Sequence, residues 1–316
     1  MENTVKQNIV QAVKEYQELH GLKQADIAKK ANVNNAYLSL MLRDGSNFMY
    51  DAGGKQGFIP NMHFYNLATL VGYSLTKEYW QFQPTNQFAA ALSALTDAKQ
   101  FGLTTLIIGE TGCGKSYTAN RFASNNPQDC FIVVVGSSDN LGDLIDKVLD
   151  ALKIPAAKTK SSKLRDIARH MRNLKAQGYT PQIVFDEAEY MKQPTLCAIK
   201  ELHDGLTGLC SVTLIGTDQL LQNLEKLRKR NKPGIPQFYR RVKFGIRQLP
   251  SIDRTFDQFI RDMDTDMKRF LQRECDNYGE LHDALVPTLR EADRLKEPVS
   301  ISLLRKVLNL PDVKAA

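Results

Sequence analysis

Residues 109–116 read Gly-Glu-Thr-Gly-Cys-Gly-Lys-Ser, a complete G-x-x-x-x-G-K-S, with the apolar run TTLIIG before it and SYTANRFAS after it. Few sequence features restrict a fold so tightly. The glycines allow successive backbone N–H groups to wrap an anion, the following helix adds its positive end, and a strand directly before the loop with a helix directly after it is the context the motif requires. Gly109, Glu110, Thr111, Gly112, Cys113, Gly114, Lys115, Ser116 and Tyr117 are therefore the expected contacts of a bound nucleotide. Lys115 would reach its β- and γ-phosphates, and Ser116 would give an oxygen to Mg²⁺.

A loop of this kind needs a parallel sheet behind it, and the chain supplies strand-like runs at Thr104 to Ile108, Phe131 to Val135, Gln182 to Asp186, Ser211 to Ile215 and Val242 to Ile246. Longer amphipathic segments separate them, so the expectation is an α/β fold with helices on both faces. After about Ser251 only helical patterns remain. The run Ile183-Val-Phe-Asp186-Glu187 is an apolar strand ending in two acids; read alone it is a solvated strand end, but about seventy residues beyond the loop it reads as the source of a metal-site carboxylate. Asp186 is the expected partner of Mg²⁺, and Glu187 the expected base that polarises the attacking water. Glu189 reads instead as an acid in the first turn of a helix.

The first segment differs. Ile9, Val10, Val13 and Tyr16 recur at helical spacing up to Gly21, and KQADIAKKANVNNAYLSLMLRDG follows. Ile27, Ala28 and Ala31 share a face, Val33 fills a turn, and Asn34 is placed to cap a helix carrying Leu38 and Leu42. Through Gln24, Ile27, Ala28, Val33, Asn34, Leu38 and Ser39 this resembles the lambda-repressor-like helix-turn-helix group, with Asn32 where glycine is usual. Asn34, Asn35, Tyr37 and Arg43 would then lie at or near DNA. A three-helix bundle for protein docking is the alternative. GSNFMYDAGGKQGF reads as a loop, IPNMHFYNLATLVGYS as a closing helix, and WQFQPTNQF as a connector at the domain boundary.

Composition excludes several classes. With 316 residues, 42% hydrophobic and 24% charged, the chain has room for two or three globular domains. Its apolar runs are too short for a membrane span, and its N-terminus lacks the pattern of a signal peptide. The five scattered cysteines suggest neither zinc nor a disulfide framework, which points to a reducing cytoplasm. The 42 basic against 35 acidic residues give +7, compatible with a polyanionic partner. The cations cluster at Lys153, Lys158, Lys160, Lys163, Arg165 and Arg169, and again at Lys226, Arg228, Lys229, Arg230 and Lys232. Each run is either an ordinary solvated helix face or a track for the phosphate backbone.

From about residue 86 the chain resembles the AAA+ ATPases. Within them it is similar to the transposition-regulator group typified by the phage Mu B protein and its relatives in Tn7-type elements, on GETGCGKS, IVFDEAE followed by KELHD, and LIGT. The resemblance implies a helix-turn-helix domain at 1–80, an AAA+ core at 81–250 and a helical lid at 251–316. It implies that Thr217 is the sensor residue that positions the lytic water, though a Thr here also suits a helix cap. It implies that Arg240 and Arg241, with Arg241 preferred, act on the neighbouring subunit's nucleotide, against the plainer alternative of a solvated pair at a strand start. The lid's usual arginine has no clean match. His282 falls near its place, and Arg290 and Arg305 are substitutes.

The function implied is an ATP-dependent ATPase of a bacterial or phage mobile element, cytoplasmic and nucleoid-associated. It would form a helical homo-oligomer on double-stranded DNA, present that DNA to a transposase and come apart on hydrolysis. A helicase loader and an ATP-regulated transcription factor are the alternatives. A metabolic kinase fits poorly, because Glu187 and the arginine pair suit hydrolysis better than transfer to a small hydroxyl.

Overall fold

The computed structural model describes residues 1–43, 45–52, 54–73, 77–206 and 208–311. Met1–Tyr79 and Trp80–Ala316 form two compact units. The first contains α1 (Asn3–His20), α2 (Gln24–Lys30), α3 (Asn35–Leu42), β1 (Met49–Ala52), β2 (Lys55–Phe58) and α4 (Asn61–Val71). Ile9, Val13, Ile27, Leu38, Met41, Phe64 and Leu67 close one apolar core, with Val33 plugging the turn between α2 and α3. That turn works as expected: Asn32 takes a left-handed φ of 53°, and the Asn34 side chain accepts the Ala36 N–H at 2.8 Å.

The stretch expected to be a loop is instead an antiparallel hairpin, with Met49 opposite Phe58 and Tyr50 opposite Gly57. Gly53, part of the same expectation, lies outside the described residues. Buried Phe48 and Ile59 pin the two ends of the hairpin to the core. The Tyr50 ring packs 5.4 Å from that of Tyr37. Two apolar anchors flanking a short polar segment hold the strands side by side despite its glycines.

The second unit runs α5 (Asn86–Phe101), β3 (Thr104–Ile108), α6 (Lys115–Asn125), β4 (Cys130–Val134), α7 (Leu141–Leu152), α8 (Lys160–Ala176), β5 (Gln182–Asp186), α9 (Gln193–Leu206), β6 (Ser211–Gly216), α10 (Asp218–Lys229), α11 (Ile235–Val242) and β7 (Ile246–Gln248). Four helices follow: α12 (Asp257–Ile260), α13 (Thr265–Glu274), α14 (Tyr278–Leu295) and α15 (Ile301–Val307). The five strands lie parallel in the order β4-β5-β6-β3-β7. Alternate strand residues feed two cores. Leu106, Ile183, Phe185, Val212 and Leu214 meet α7 to α11, whereas Ile107, Val184 and Ile215 meet α5, α6 and the C-terminal helices. The helices after residue 251 thus share a core with the helix that follows the phosphate loop.

Four strands fall within one residue of expectation. The fifth does not: residues 235–242 are a helix, a 3-10 turn occupies Lys243–Gly245, and the strand begins only at Ile246. Ile235, Phe238 and Val242 form a buried helical stripe, and Pro236 stands in the first turn, where its missing N–H costs nothing. Arg240 and Arg241 therefore end a helix rather than begin a strand. Among the described residues, no helix is long and apolar enough to cross a membrane.

Candidate functional site

The loop between β3 and α6 turns on two glycines. Gly112 and Gly114 have φ of 70° and 90°, a region that a side chain disfavours. A Cβ on Gly112 would also run into the side chain of Asn277, the cap of α14, so the C-terminal helices meet the loop here without an intervening side chain. The first N–H groups of α6 have no intrahelical partner and face the loop's concavity. Lys115 Nζ donates to the carbonyls of Gly109 at 2.9 Å and Glu110 at 2.7 Å. Cys113 is buried, and burial pushes its thiol above the ordinary value, so it packs the loop as a neutral group. Ser116 and Tyr117 are exposed on the first turn of α6.

Asp186 ends β5 with 5% exposure, and its Oδ1 accepts the Glu187 N–H at 2.9 Å. Glu187 itself is exposed and held at a φ of 55°. That backbone costs a non-glycine residue of order 1 kcal/mol, and such strain gathers at functional positions. Gly109 N–H donates to Gly216 O at 3.1 Å, which joins the start of the phosphate loop to the end of β6 and brings Thr217 beside it. Thr217 precedes α10, yet its hydroxyl makes no cap. Thr217 Oγ1 and Glu189 Oε2 are both buried without a hydrogen-bond partner among the described residues. An orphaned hydroxyl at this point answers the helix-cap alternative and fits a phosphate or water as its partner. Ser116 Oγ and the Asp186 carboxylate, which has no cationic partner among the described residues, are hard oxygen donors of the type Mg²⁺ takes.

Two cavities flank the loop. One, of about 420 Å³, runs from Gly112–Thr118 to an aromatic wall of Trp80, Phe82, Phe88, Phe259 and Tyr278. Trp80 stacks on Phe259 with centroids 4.7 Å apart, and Tyr278 O–H donates to Gln87 Oε1 at 3.1 Å. Sequence reasoning missed this wall by treating WQFQPTNQF as a connector; the chain's single tryptophan, two residues from Phe82 and ahead of the loop, was the available signal. His282 lines this cavity too. Arg290 is exposed, and Arg305 Nη1 donates to Pro311 O at 2.7 Å, so neither substitute arginine lines either cavity. The other cavity, of about 380 Å³, is lined by Glu110, Thr111, Thr217, Asp218, Gln219, Gln222, Arg254, Asp276 and Asn277.

The remaining expected site residues lie elsewhere. Arg241 Nε donates to Asp204 Oδ1 at 2.5 Å, while Arg240 is exposed. Both stand at the far end of the sheet, because Gly245 rests against the carbonyl of Thr104, the first residue of β3. They are about a strand length, roughly 15 Å, from their own phosphate loop. Lys158, Lys160 and Arg165 are exposed, but Lys163 is ion-paired with Asp146 and is not a free cation. The cluster from Lys226 to Lys232 is exposed at the end of α10 and the turn after it, with Arg228 lying 4.2 Å over the Tyr239 ring. In the first unit Asn34 and Arg43 are exposed. Asn35 Oδ1 accepts from Gln24 at 3.0 Å, and Tyr37 is half-buried against Tyr50 and His63. The last two are thus partly committed to the unit's own packing.

Residues 101–224 match the AAA domain family. No curated protein matches the chain. Among solved structures, Cdc6p from Pyrobaculum aerophilum is similar with a TM-score of 0.52 at 15% identity, over 74% of this chain and 69% of that one. The ORC2 protein of Aeropyrum pernix, in ADPNP–ADP complexes, has a TM-score of 0.49 at 16% identity, over 71% of this chain and 66% of that one. At these identities the likeness is one of fold.

Proposed function

We propose that this chain, an ATPase by its AAA domain, binds ATP with Mg²⁺, assembles on double-stranded DNA as a helical homo-oligomer, and hands that DNA to a transposase, with hydrolysis dismantling the assembly. The observation that carries the reading is the separation of Arg240 and Arg241 from their own phosphate loop by the length of β3. The guanidinium that Arg240 or Arg241 lends to a γ-phosphate would then act on another subunit's nucleotide, so turnover depends on assembly.

Within one subunit, the loop N–H groups and Lys115 hold the triphosphate tail, and the aromatic wall takes the base. Ser116 and Asp186 would hold Mg²⁺, which supplies charge neutralisation at the phosphates. Glu187 accepts a proton from the attacking water, and the Thr217 hydroxyl orients that water. Exposed Lys158, Lys160 and Arg165, with the cluster ending α10, suit the phosphate backbone of DNA without reading sequence. The α2–α3 pair with Asn34 and Arg43 adds a second contact of helix-turn-helix type. The setting is the cytoplasm, at the nucleoid.

Electron microscopy of the purified chain with long duplex DNA tests this. Regular filaments are expected with ATP or a nonhydrolysable analogue and absent with ADP. Filaments that form equally in all three conditions, or in none, overturn the proposal, and a footprint confined to one sequence favours a transcription regulator.

A further inference from the structure

We propose that Glu189 is a positioning residue for hydrolysis, its carboxylate turning the Thr217 hydroxyl into an acceptor for the attacking water; this deepens the reading of Thr217 above and rests on it. Glu189 stands in the first turn of a helix, as its sequence suggested, but that helix is a 3-10 turn of three residues, Ala188–Tyr190, directly after β5. So short a turn supplies little dipole to hold an acid. The carboxylate crosses instead to the neighbouring strand, where a Cβ on Gly216, the last residue of β6, would come within 2.7 Å of Glu189 Oε2. A glycine at the end of β6 is what leaves room for it. Asn223 Nδ2, on α10, donates to the Glu189 carbonyl at 3.4 Å and ties the turn to the helix that Thr217 precedes.

Glu189 Oε2 is buried and has no hydrogen-bond partner among the described residues, and the same holds for Oγ1 of Thr217, the residue after Gly216. Each is a cost that packing alone does not offset. The two groups are chemically complementary: an ionised carboxylate only accepts, whereas a hydroxyl has one proton to give and lone pairs to offer. With nucleotide bound, Thr217 O–H donates to Glu189 Oε2, directly or through one bridging water. The hydroxyl's lone pairs then accept a hydrogen bond from the attacking water, in the cavity that Thr217 lines. Glu187 accepts from the other hydrogen of that water, so a lone pair on its oxygen is left for phosphorus. A Thr217 hydroxyl without the carboxylate is free to donate to the water oxygen and to occupy the lone pair that must attack. Glu189 lines neither cavity beside the loop, so it acts through Thr217 and not on the water itself.

The test is steady-state ATP turnover of the full chain with duplex DNA, across ATP concentrations, for wild type, Glu189→Leu, Glu189→Gln, Thr217→Val and the variant carrying both Glu189→Leu and Thr217→Val. Glu189→Leu should lower kcat on the order of tenfold and leave the KM for ATP within about twofold, since the lost interaction serves the attacking water and not the bound nucleotide. Glu189→Gln keeps an acceptor oxygen and should recover most of that rate. In the Thr217→Val background Glu189→Leu should cost nothing more, because a residue that acts through a hydroxyl has no effect once the hydroxyl is gone. Gly216→Ala, which displaces the carboxylate without removing it, should repeat the loss in kcat, and it keeps the test open should the leucine variant fold poorly. Losses that multiply to about a hundredfold in the double variant, or wild-type turnover in Glu189→Leu, overturn the proposal and leave the nucleotide reading in place. Wild-type turnover in Thr217→Val would instead overturn the reading of Thr217 on which the proposal rests, so the two failures are distinct.

Discussion

The two ends of the parallel sheet are built from the same kinds of residue and treat them in opposite ways. At the N-terminal ends of β4 and β5, Lys99 Nζ donates to Asp129 Oδ2 at 2.5 Å and to both oxygens of Thr180 at 2.7 Å. Asp129 in turn accepts the Thr180 N–H at 3.0 Å. The Lys99 and Asp129 side chains are only 9% and 11% exposed, and each has its charge answered. At the C-terminal ends, Thr217 and Glu189 keep buried oxygens without partners, Glu187 is held in a left-handed backbone, and Lys115 leans on carbonyls of its own loop. Gln182 Oε1 and Ser211 Oγ are also buried without partners at the N-terminal ends of β5 and β6, so the contrast is one of charge and access. The ion pair at one end is closed, whereas the open Thr217 hydroxyl at the other lines a cavity that a ligand can complete.

The comparison breaks most visibly at Glu187. Glu187→Gln should cut ATP turnover by about 10² to 10⁴ while leaving ATP affinity intact, because it removes a proton acceptor and little packing. Turnover equal to wild type would remove Glu187 from the site. At the opposite end, Lys99→Met leaves Asp129 buried without its cation and should cost about 3 kcal/mol of stability, read as a lower urea midpoint. Turnover per folded molecule should not change. A variant that is catalytically impaired but fully stable would show that the division between the two ends is wrong.

Much of this division was legible in the sequence, and the rest failed for identifiable reasons. Apolar runs bounded by Gly109 and by Asp186-Glu187 located the central strands, because a buried parallel strand is continuous in hydrophobicity. The QFYRRVKF segment misled: aromatic and branched residues suggest a strand, but Ile235, Phe238 and Val242 fall on one helical face, a period visible only when Ile235 is counted. The hairpin at 49–58 was hidden by its glycines, since nothing local reveals that Phe48 and Ile59 are anchored in a core made by distant helices. The aromatic wall escaped because Trp80 and Phe259 are remote in the chain and come together only when the C-terminal helices pack beside α5 and α6. The Lys99–Asp129–Thr180 network has no local signature for the same reason.

Thr217 sharpens the comparison, because binding and stability should move in opposite directions there. Burying a hydroxyl without a partner costs about 1 to 3 kcal/mol. Thr217→Val keeps the shape and removes that cost, so stability should rise by about 1 kcal/mol while turnover falls by about tenfold. A valine variant that is both less stable and fully active would mean that the hydroxyl has a structural partner.

The smallest expected effect lies at the N-terminal end of β3, where Thr104 Oγ1 and His203 Nδ1 stand 2.6 Å apart. Burial lowers the His203 pKa below its ordinary 6.5, with Asp204 opposing and Arg241 adding to the shift. A histidine depressed in the fold takes up its proton more readily when unfolded. Its contribution is therefore complete above pH 6.5 and is lost as pH falls through the lower folded value. Asp204, which burial pushes up but Arg241 and Lys200 hold below the ordinary carboxylate value, titrates beneath that window. Because His203 is partly exposed, solvent screening should limit the loss to about 0.5 kcal/mol or less. Urea midpoints of wild type and His203→Gln, compared between pH 8 and 5.5, should show the steeper decline in the wild type. Parallel declines would mean that the histidine keeps an ordinary pKa and that this end of the sheet is less closed than its lysine suggests.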